Sequence, residues 1–166
     1  MPFLEDALES IVTQTYRNLE ILCINDGSSD NTREILEQFA KNDDRIKVVN
    51  NEVNLKLIGT LNNGVSLAKG EYIARMDADD VCLPERIEKQ LKYLLETDSD
   101  VVGCNAFSIN EKGEIIGNHQ LKNLSANEST FASFLFTPLI HPTVLGKRAV
   151  FQDNRYLKEE KALHTE

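Results

Sequence analysis

The stretch EYIARMDADD, residues 71–80, joins a strand-like run to a cluster of acids. Residues 71–76 form a short apolar run rich in β-formers, which predicts a strand. Asp77, Asp79 and Asp80 follow directly behind it. Carboxylates this close raise one another's pKa unless a positive group lies among them. The motif therefore indicates a solvated turn, a helix cap or a site for a cation at the end of a strand.

The rest of the chain alternates between strand-like and helix-like segments. Short apolar runs predict further strands at 19–25, 46–50 and 100–107, a hairpin arm after the NEKG turn, and a last strand or extended segment at 139–146. Apolar residues at helical spacing predict helices over 3–15, over 58–69 and from Pro84 onward. Two capping-box patterns predict helix starts, Asn31 with Glu34 for a helix to about Lys41, and Ser125 with Glu128.

This order of elements predicts an α/β fold, with a mostly parallel sheet and helices on both faces. A helix opens the chain, and no strand-like run comes before it. A βαβ order requires a strand there, and that first strand is usually central. We therefore expect one domain over 1–166 whose sheet lacks its first strand, and whose unpaired sheet edges could drive self-association.

The predicted topology brings two acidic segments together. Asp26 follows the strand at 19–25, and the acids at 77–80 follow the strand at 71–76. Right-handed crossovers place the carboxyl ends of parallel strands on one edge, where open α/β sheets bind ligands. We therefore expect Asp26 and the D-x-D-D cluster to meet at one edge of the sheet.

The spacing of Asp77 and Asp79 favours a divalent cation, because alternate residues leaving a strand share a face. Oxygen ligands without cysteine or clustered histidine favour Mg²⁺ or Mn²⁺, with coordination completed by water and substrate phosphates. An EF-hand loop does not fit, since Val81 and Cys82 stand where a ligand and a glycine are needed. A D-x-D-x-T phosphatase motif also fails, since it needs threonine at Val81.

Composition limits the partners and the compartment. The net charge of −9 disfavours binding to nucleic acid or to an anionic membrane over most of the surface. The three cysteines, Cys23, Cys82 and Cys104, are widely spaced and favour a reducing compartment over a disulfide framework. The first ten residues lack the pattern of a signal peptide. We expect a cytoplasmic location, with association at the inner face of the membrane left open.

Three blocks of sequence together resemble the family 2 glycosyltransferases. They are ALESIVTQTYRNLEILCINDGSSDNTREIL, then LNNGVSLAKGEYIARMDADD, and later IHPTVLGKRAV. The resemblance covers nearly the whole chain. It implies an inverting enzyme of the GT-A fold, a Rossmann-like α/β fold, that uses a nucleotide-diphospho-sugar.

The resemblance also implies roles for individual residues. Asp26 matches the acid that contacts the nucleobase, normally uracil, and Asn62 belongs to the N-x-G segment beneath the nucleotide. Asp77 matches the first acid of the D-x-D motif, near the ribose and the metal, and Asp79 matches the acid that binds Mn²⁺ or Mg²⁺ at the donor diphosphate. Arg75, directly before this motif, is assigned to the same nucleotide-sugar site.

Other matches concern the acceptor and the catalytic base. Asn105, in the GCNA segment, and His141, in the HPT segment, fall on the acceptor side. Glu166 matches the start of the acidic element that carries the base, so the base is expected at or just beyond the chain end. The chain departs from many relatives at Lys56, where they carry glycine, and at Leu61, where they carry arginine.

The function expected from this resemblance is transfer of a sugar from a UDP-sugar to a hydroxyl of a saccharide or lipid-linked acceptor, with inversion. A carboxylate base would deprotonate the acceptor while the metal acts as a Lewis acid on the diphosphate. Two alternatives stay open. One is a sugar-1-phosphate nucleotidyltransferase, although its basic glycine-rich loop is absent near the start of this sequence. The other is an inactive nucleotide-binding fragment.

Overall fold

The computed structural model describes residues 3–121 and 139–156. Five α-helices and seven strands lie in these ranges: α1 Leu4–Val12, β1 Ile21–Asn25, α2 Thr32–Asn42, β2 Ile46–Asn50, α3 Lys56–Leu67, β3 Tyr72–Ala74, α4 Arg86–Glu96, β4 Val101–Val102, β5 Ala106–Ile109, β6 Ile115–His119, β7 Leu145–Lys147 and α5 Arg148–Asp153. A single 3-10 turn, His141–Thr143, precedes β7. The alternation of helices and strands confirms the predicted α/β class.

The strands form three separate hydrogen-bonded groups. The first is the parallel pair β1 and β2, and the second is a group of three in which β7 lies between β3 and β4. Since β7 is antiparallel to both neighbours, β3 and β4 run parallel to each other. The third is the antiparallel hairpin of β5 and β6. Within the described residues, no hydrogen-bonded ladder joins β1 to β3.

The hydrophobic core is divided in the same way. One cluster contains Leu4 and Leu8 of α1 with Leu36 of α2, and Cys23 of β1 packs against it. The other contains Ile87, Leu94, Val102 and Leu145, with Tyr72 of β3 packed against it. Helix α1 contacts both, because Ile11 packs against the second cluster. The apolar spacing of α1 therefore connects two halves of the core that the strands leave unconnected.

Several element boundaries differ from the sequence prediction. The run 100–107 is not one strand, because the chain leaves β4 after Val102 and enters β5, in another sheet, at Ala106. The segment 139–146 contains the 3-10 turn before β7 begins. Helix α4 begins at Arg86 rather than at Pro84. The helix predicted from Ser125 lies outside the described residues.

The start of α2 uses a different cap from the one predicted. Asn31 is the N-cap residue, but its side chain makes no capping hydrogen bond. The carboxylate of Asp30 accepts a hydrogen bond from the backbone N–H of Thr32 instead. The capping box of Asn31 and Glu34 was therefore wrong in its chemistry, although the position of the helix start was correct. Within the described ranges, no helix is long and apolar enough to cross a membrane.

Candidate active site

A cavity of about 910 Å³ lies between β1 and β3 and is called the central cavity below. Three of the predicted site residues line it, Asp26, Arg75 and Asp77. Asp26 follows β1, and Arg75 and Asp77 follow β3, so two acidic segments far apart in sequence open onto one space. The prediction that these strands deliver their acids to a common region agrees with this arrangement.

The carboxylate of Asp26 is held by the loop after β2. Its Oδ1 accepts hydrogen bonds from Nδ2 of Asn51 at 2.7 Å and from the backbone N–H of Leu55 at 2.8 Å. Partial desolvation works to raise the pKa of Asp26, but the hydrogen bonds from Asn51, Leu55 and Thr60 outweigh it, and the pKa is lowered. Asp26 is therefore ionised at neutral pH and fixed in position by these hydrogen bonds.

The loop that holds Asp26 has an unusual backbone at Lys56. This residue has a φ of +59°, in the left-handed region that favours glycine. The resemblance to the family implies glycine at this position in many relatives. Asn54 supports this conformation by accepting a hydrogen bond from the Lys56 N–H.

Arg75 is the central charged group of the site. Its side chain is 7% exposed, and Nη2 donates to Oδ1 of Asp77 at 2.6 Å. Two further donors of this guanidinium, Nε and Nη1, are buried and have no hydrogen-bond partner within the described part of the chain. Buried polar groups are nearly always paired, because an unpaired one costs about 1–3 kcal/mol. Arg75 therefore carries unused capacity to bind an anion or a carbonyl oxygen.

The remaining acids of the cluster retain uncompensated charge. Asp79 is exposed, while Asp80 is half-buried on the turn closed by the hydrogen bond from the Asp80 N–H to the Asp77 carbonyl. Desolvation and then the charges of Asp77 and Asp79 raise the pKa of Asp80. One guanidinium thus does not neutralise three carboxylates, and a cation placed among them would be stabilised.

The acids meet the requirements of a metal that is shared with a ligand, but not of a metal held by protein alone. Among the residues the structure describes, no three His, Cys, Asp or Glu side chains are grouped so as to hold a metal ion. Mg²⁺ is commonly bound through one or two carboxylates together with substrate phosphates and water. The pair Asp77 and Asp79 fits this second type of site.

His141 lies at the edge of this region and contacts Tyr156. Its Nε2 is 3.3 Å from the Tyr156 hydroxyl, and the two rings meet edge-to-face with centroids 5.4 Å apart. Burial, and then the positive charge of Arg75, lowers the pKa of His141, while Asp77 opposes this change. His141 is therefore neutral at neutral pH and is positioned within the electrostatic reach of Arg75.

Asn62 holds the same tyrosine. Its Nδ2 donates to the carbonyl of Tyr156 at 2.8 Å, and its Oδ1 accepts from the Tyr156 N–H at 3.0 Å. This double hydrogen bond anchors the segment after α5 to α3, and Tyr156 itself lines the central cavity. Asn62 thus has a clear structural use, and its direct contact with a nucleotide stays a prediction.

Arg86 and Gln90 form a set of contacts that sequence reasoning missed. Nη2 of Arg86 donates to the carbonyls of Arg75 and Pro142, and Nε2 of Gln90 donates to the carbonyl of Thr143. These bonds fasten the D-x-D loop and the HPT turn to α4. The available signal was two polar residues four positions apart on the otherwise apolar inner face of an amphipathic helix.

Four predicted site residues within the described ranges do not line the central cavity: Asn62, Asp79, Asn105 and His141. Asn105 is exposed in the link between β4 and β5, where its Oδ1 accepts a hydrogen bond from the Leu121 N–H. It does not line the central cavity. Glu166 lies outside the described residues. The acceptor role of Asn105 and the catalytic role of Glu166 therefore stay predictions.

Comparison with known proteins identifies the family. The model of the family described as "Glycosyl transferase family 2" matches residues 1–155. An uncharacterized glycosyltransferase of Haemophilus influenzae is 36% identical over 93% of this chain. The O-antigen biosynthesis glycosyltransferase WbnJ of Escherichia coli is 34% identical over 92% of it. The chain belongs to glycosyltransferase family 2.

Solved structures with the same fold are GT-A glycosyltransferases. TarS of S. aureus in complex with UDP has a TM-score of 0.72 at 23% identity, covering 92% of this chain and 45% of that one. The mannosyltransferase PcManGT of Pyrobaculum calidifontis, in complex with GDP-Man and Mn²⁺, has a TM-score of 0.69 at 17% identity, covering 96% of this chain and 44% of that one. These similarities confirm the predicted GT-A fold.

The chain matches only part of each relative. It spans 50% of the Haemophilus protein and 59% of WbnJ. The matched part contains the D-x-D-D cluster and the loop that holds Asp26. The activity of the whole protein, and its acceptor, are therefore matters for proposal.

The position of His141 predicts a pH dependence of stability. In the folded state the pKa of His141 lies below its ordinary value near 6.5. As the pH falls, the unfolded chain therefore binds a proton at this residue before the folded chain does. This contribution makes stability fall as pH drops from about 7 through the folded pKa. We expect His141→Gln to make the fall in Tm between pH 7 and 5 shallower.

The matched control for this measurement is His119→Gln. His119 is exposed on β6, where its Nε2 meets the Ser108 hydroxyl. Thermal melts of both variants and of the unmodified protein across this pH range isolate the effect of His141. An identical slope for His141→Gln and the unmodified protein would contradict the burial argument.

Proposed function

We propose that this chain supplies the donor site of an enzyme that transfers a sugar from a UDP-sugar to an acceptor hydroxyl with inversion. The supporting observation is that Asp26, Arg75 and Asp77 line one cavity, with two donors of the buried Arg75 unpaired within the described residues. Family membership supports the reaction class. The acceptor in this proposal is a saccharide or a lipid-linked saccharide.

Each residue has a stated part in the proposed donor site. Asp26, ionised and fixed by Asn51 and Leu55, accepts hydrogen bonds from the N–H of the uracil ring and from a ribose hydroxyl. Arg75 binds a diphosphate oxygen through Nε or Nη1, which adds a charge-assisted hydrogen bond. Its existing bond to Asp77 keeps that carboxylate directed toward the site.

Asp77 and Asp79 would hold the divalent cation, either Mn²⁺ or Mg²⁺, together with the diphosphate. Bound there, the cation supplies Lewis-acid stabilisation of the charge that develops on the leaving diphosphate. Desolvation raises the pKa of Asp80, and the charges of Asp77 and Asp79 add to this rise, so a cation here would be stabilised by the cluster. His141, held neutral beside Arg75, lines the approach of the acceptor in this proposal, and Glu166 begins the acidic element that carries the base.

A calorimetric titration tests the donor site directly. We expect UDP to bind in the presence of Mn²⁺ and to bind much more weakly after the metal is removed with a chelator. UMP, which lacks the second phosphate, should bind more weakly than UDP, because it cannot bridge the cation and Arg75 as fully. The same titration with GDP shows whether the site prefers uracil or guanine.

The outcomes separate the competing functions. Metal-independent binding, or no binding of UDP or GDP, would contradict the proposed donor site. Tighter binding of GDP than of UDP would overturn the uracil assignment and leave the metal site intact. Metal-dependent UDP binding without hydrolysis of a UDP-sugar would favour the inactive nucleotide-binding fragment.

A further inference from the structure

A chain of side-chain hydrogen bonds connects helix α3 to Asp26. Nδ2 of Asn63, on α3, donates to Oδ1 of Asn51 at 2.8 Å. Nδ2 of Asn51 then donates to Oδ1 of Asp26 at 2.7 Å. Asn51 directly follows β2, so these three side chains join a helix, the end of one strand and the loop after another. Asn63 itself does not line the central cavity.

The side-chain amide of Asn51 has a partner for its oxygen and for both of its N–H groups. Besides the bond to Asp26, its Nδ2 donates to Oγ1 of Thr60 at 3.2 Å, while its Oδ1 accepts from Asn63. Its backbone N–H donates to the carbonyl of Asn25 at 3.0 Å, which fixes the residue at the end of the β1–β2 ladder. The plane of the amide is therefore held in one orientation.

The direction of each bond follows from the chemistry of Asp26. An ionised carboxylate only accepts hydrogen bonds, so Asn51 must present its NH₂ group to Asp26. The oxygen of the same carboxamide then faces α3, where it needs a donor, and the NH₂ group of Asn63 supplies it. If the Asn51 amide were turned over, its oxygen would lie against the carboxylate and repel it.

Helix α3 contacts this amide with two residues. Thr60 and Asn63 are three positions apart, so they lie on the same face of the helix. Thr60 contacts the NH₂ side of the Asn51 amide, and Asn63 contacts its oxygen side. The adjacent Asn62 uses its side chain for the double hydrogen bond to Tyr156. The two neighbouring asparagines therefore serve different contacts, and their effects can be separated by mutation.

We propose that Asn63 is a positioning residue of the donor site, which acts through Asn51 to hold the carboxylate of Asp26 in place for the nucleobase. Its hydrogen bond selects the orientation of the Asn51 amide in which the NH₂ group faces Asp26. This role rests on the proposed function, because Asp26 is the residue that would contact the base. The hydrogen-bond connection itself does not depend on any ligand.

The pKa of Asp26 agrees with this geometry. Desolvation acts to raise this pKa, but the hydrogen bond from Asn51 is the largest of the contributions that lower it, and the pKa lies below its ordinary value. Without the bond from Asn63, the Asn51 amide would be free to rotate, and its donation to Asp26 would weaken. The pKa of Asp26 in the free protein therefore reports on the connection between Asn63 and Asp26.

The first test uses the free protein. Asn63→Leu keeps the approximate size of the side chain but removes the donor. We expect the pKa of Asp26, followed by NMR of its side-chain carboxyl carbon, to rise in this variant, and the side-chain NH₂ signals of Asn51 to shift. The matched control is Asn42→Leu, at an exposed asparagine on α2 that does not line the central cavity. An unchanged pKa of Asp26 in Asn63→Leu would overturn the proposal.

The second test distinguishes action through Asn51 from general support of the fold. In calorimetric titrations with Mn²⁺, Asn63→Leu should weaken UDP binding about 2–10-fold, the ordinary worth of one hydrogen bond. Asn51→Ala should weaken it as well. Adding Asn63→Leu to Asn51→Ala should cause no further loss, because the residue that transmits the effect is then absent. Pyrophosphate with Mn²⁺, which carries no base, should bind to all of these variants equally.

The outcomes separate this proposal from the proposed function. Additive losses in the double variant, or an equal loss of pyrophosphate binding, would make Asn63 a residue that only supports the fold, and would overturn its positioning role. Failure of the unmodified protein to bind UDP, with the pKa of Asp26 still raised in Asn63→Leu, would overturn the proposed function and the role toward the nucleobase. The control of Asp26 by Asn63 would then stand alone.

Discussion

Replacing Asp79 with asparagine is expected to remove metal-dependent nucleotide binding. The carboxamide keeps the size of the side chain but loses the charge that a hard cation requires. Removing even an indirect supporting group of a metal site commonly costs about 10–100-fold in affinity, so the loss of a direct ligand should reach at least about 100-fold. Calorimetric titration of UDP in the presence of Mn²⁺ measures this effect.

The same variant is expected to fold at least as well as the unmodified chain. The charge of Asp79 helps to raise the pKa of Asp80, so its removal relieves repulsion in the free protein. Asp98→Asn is the matched control, because its carboxylate is 99% exposed, lies 3.7 Å from Lys147 and is not part of the D-x-D-D cluster. Unchanged Mn²⁺-dependent UDP binding in Asp79→Asn would show that the metal is held elsewhere or not at all.

Much of the fold follows from local patterns in the sequence. Strand β2 occupies residues 46–50 as predicted, because its apolar run is short, rich in β-formers and bounded by turns. Helices α1 and α3 were predicted within a few residues of their observed ends. The shared location of Asp26 and Asp77 was also predictable, because it depends only on strand order and on the handedness of crossovers.

The departures come from contacts between distant parts of the chain. The run 100–107 is mostly apolar, and Gly103 and Asn105 alone did not show that it leaves one sheet after Val102 and pairs with β6 from Ala106. Strand β7 enters between β3 and β4 from far along the sequence and pairs antiparallel to both. The periodicity of apolar residues predicts that a segment is a strand, but it does not specify which strand the segment pairs with.

Prediction of the site from the sequence is limited in the same way. The D-x-D-D motif identified the acids of the site. It did not indicate that Arg75 is buried, or that two donors of Arg75 lack partners among the described residues. The hydrogen bonds of Asn62 to Tyr156 join residues 94 positions apart, and nothing near Asn62 in the sequence indicates them. The roles of Asp77 and Asp79 were assigned from a local motif, and they stay predictions.

Replacing Arg75 with methionine is expected to move stability and binding in opposite directions. In the free protein, the guanidinium is buried, and two of its donors lack partners within the described residues. Replacing a whole buried ion pair by apolar side chains of similar volume is often neutral or stabilising by about 1–4 kcal/mol, and the cost of removing one partner arises from leaving the other charge buried. Asp77, whose side chain is 39% exposed, can be hydrated after the ion pair is lost. We therefore expect an unchanged or higher Tm.

Nucleotide binding should weaken in the same variant. A hydrogen bond to a charged group is worth about 1.5–3 kcal/mol, so the loss of the contact between Arg75 and the diphosphate should reduce UDP affinity about 10–100-fold. The UDP affinity of Arg75→Lys should lie between those of the unmodified protein and Arg75→Met, because an ammonium keeps the charge but not the planar fork of the guanidinium.

The matched control for charge is Arg33→Met. The side chain of Arg33 is 62% exposed on α2, where it pairs with Glu37. Arg33 does not line the central cavity, so its replacement changes the net charge by the same amount without altering the cavity. A Tm measurement and a UDP titration on each variant decide between two roles for Arg75. A lower Tm with normal UDP affinity per folded molecule would make Arg75 a structural residue, whereas weakened UDP binding in a chain of full stability would place it in the donor site. The two donors without a partner among the described residues favour the second result, because buried polar groups kept for stability are nearly always paired.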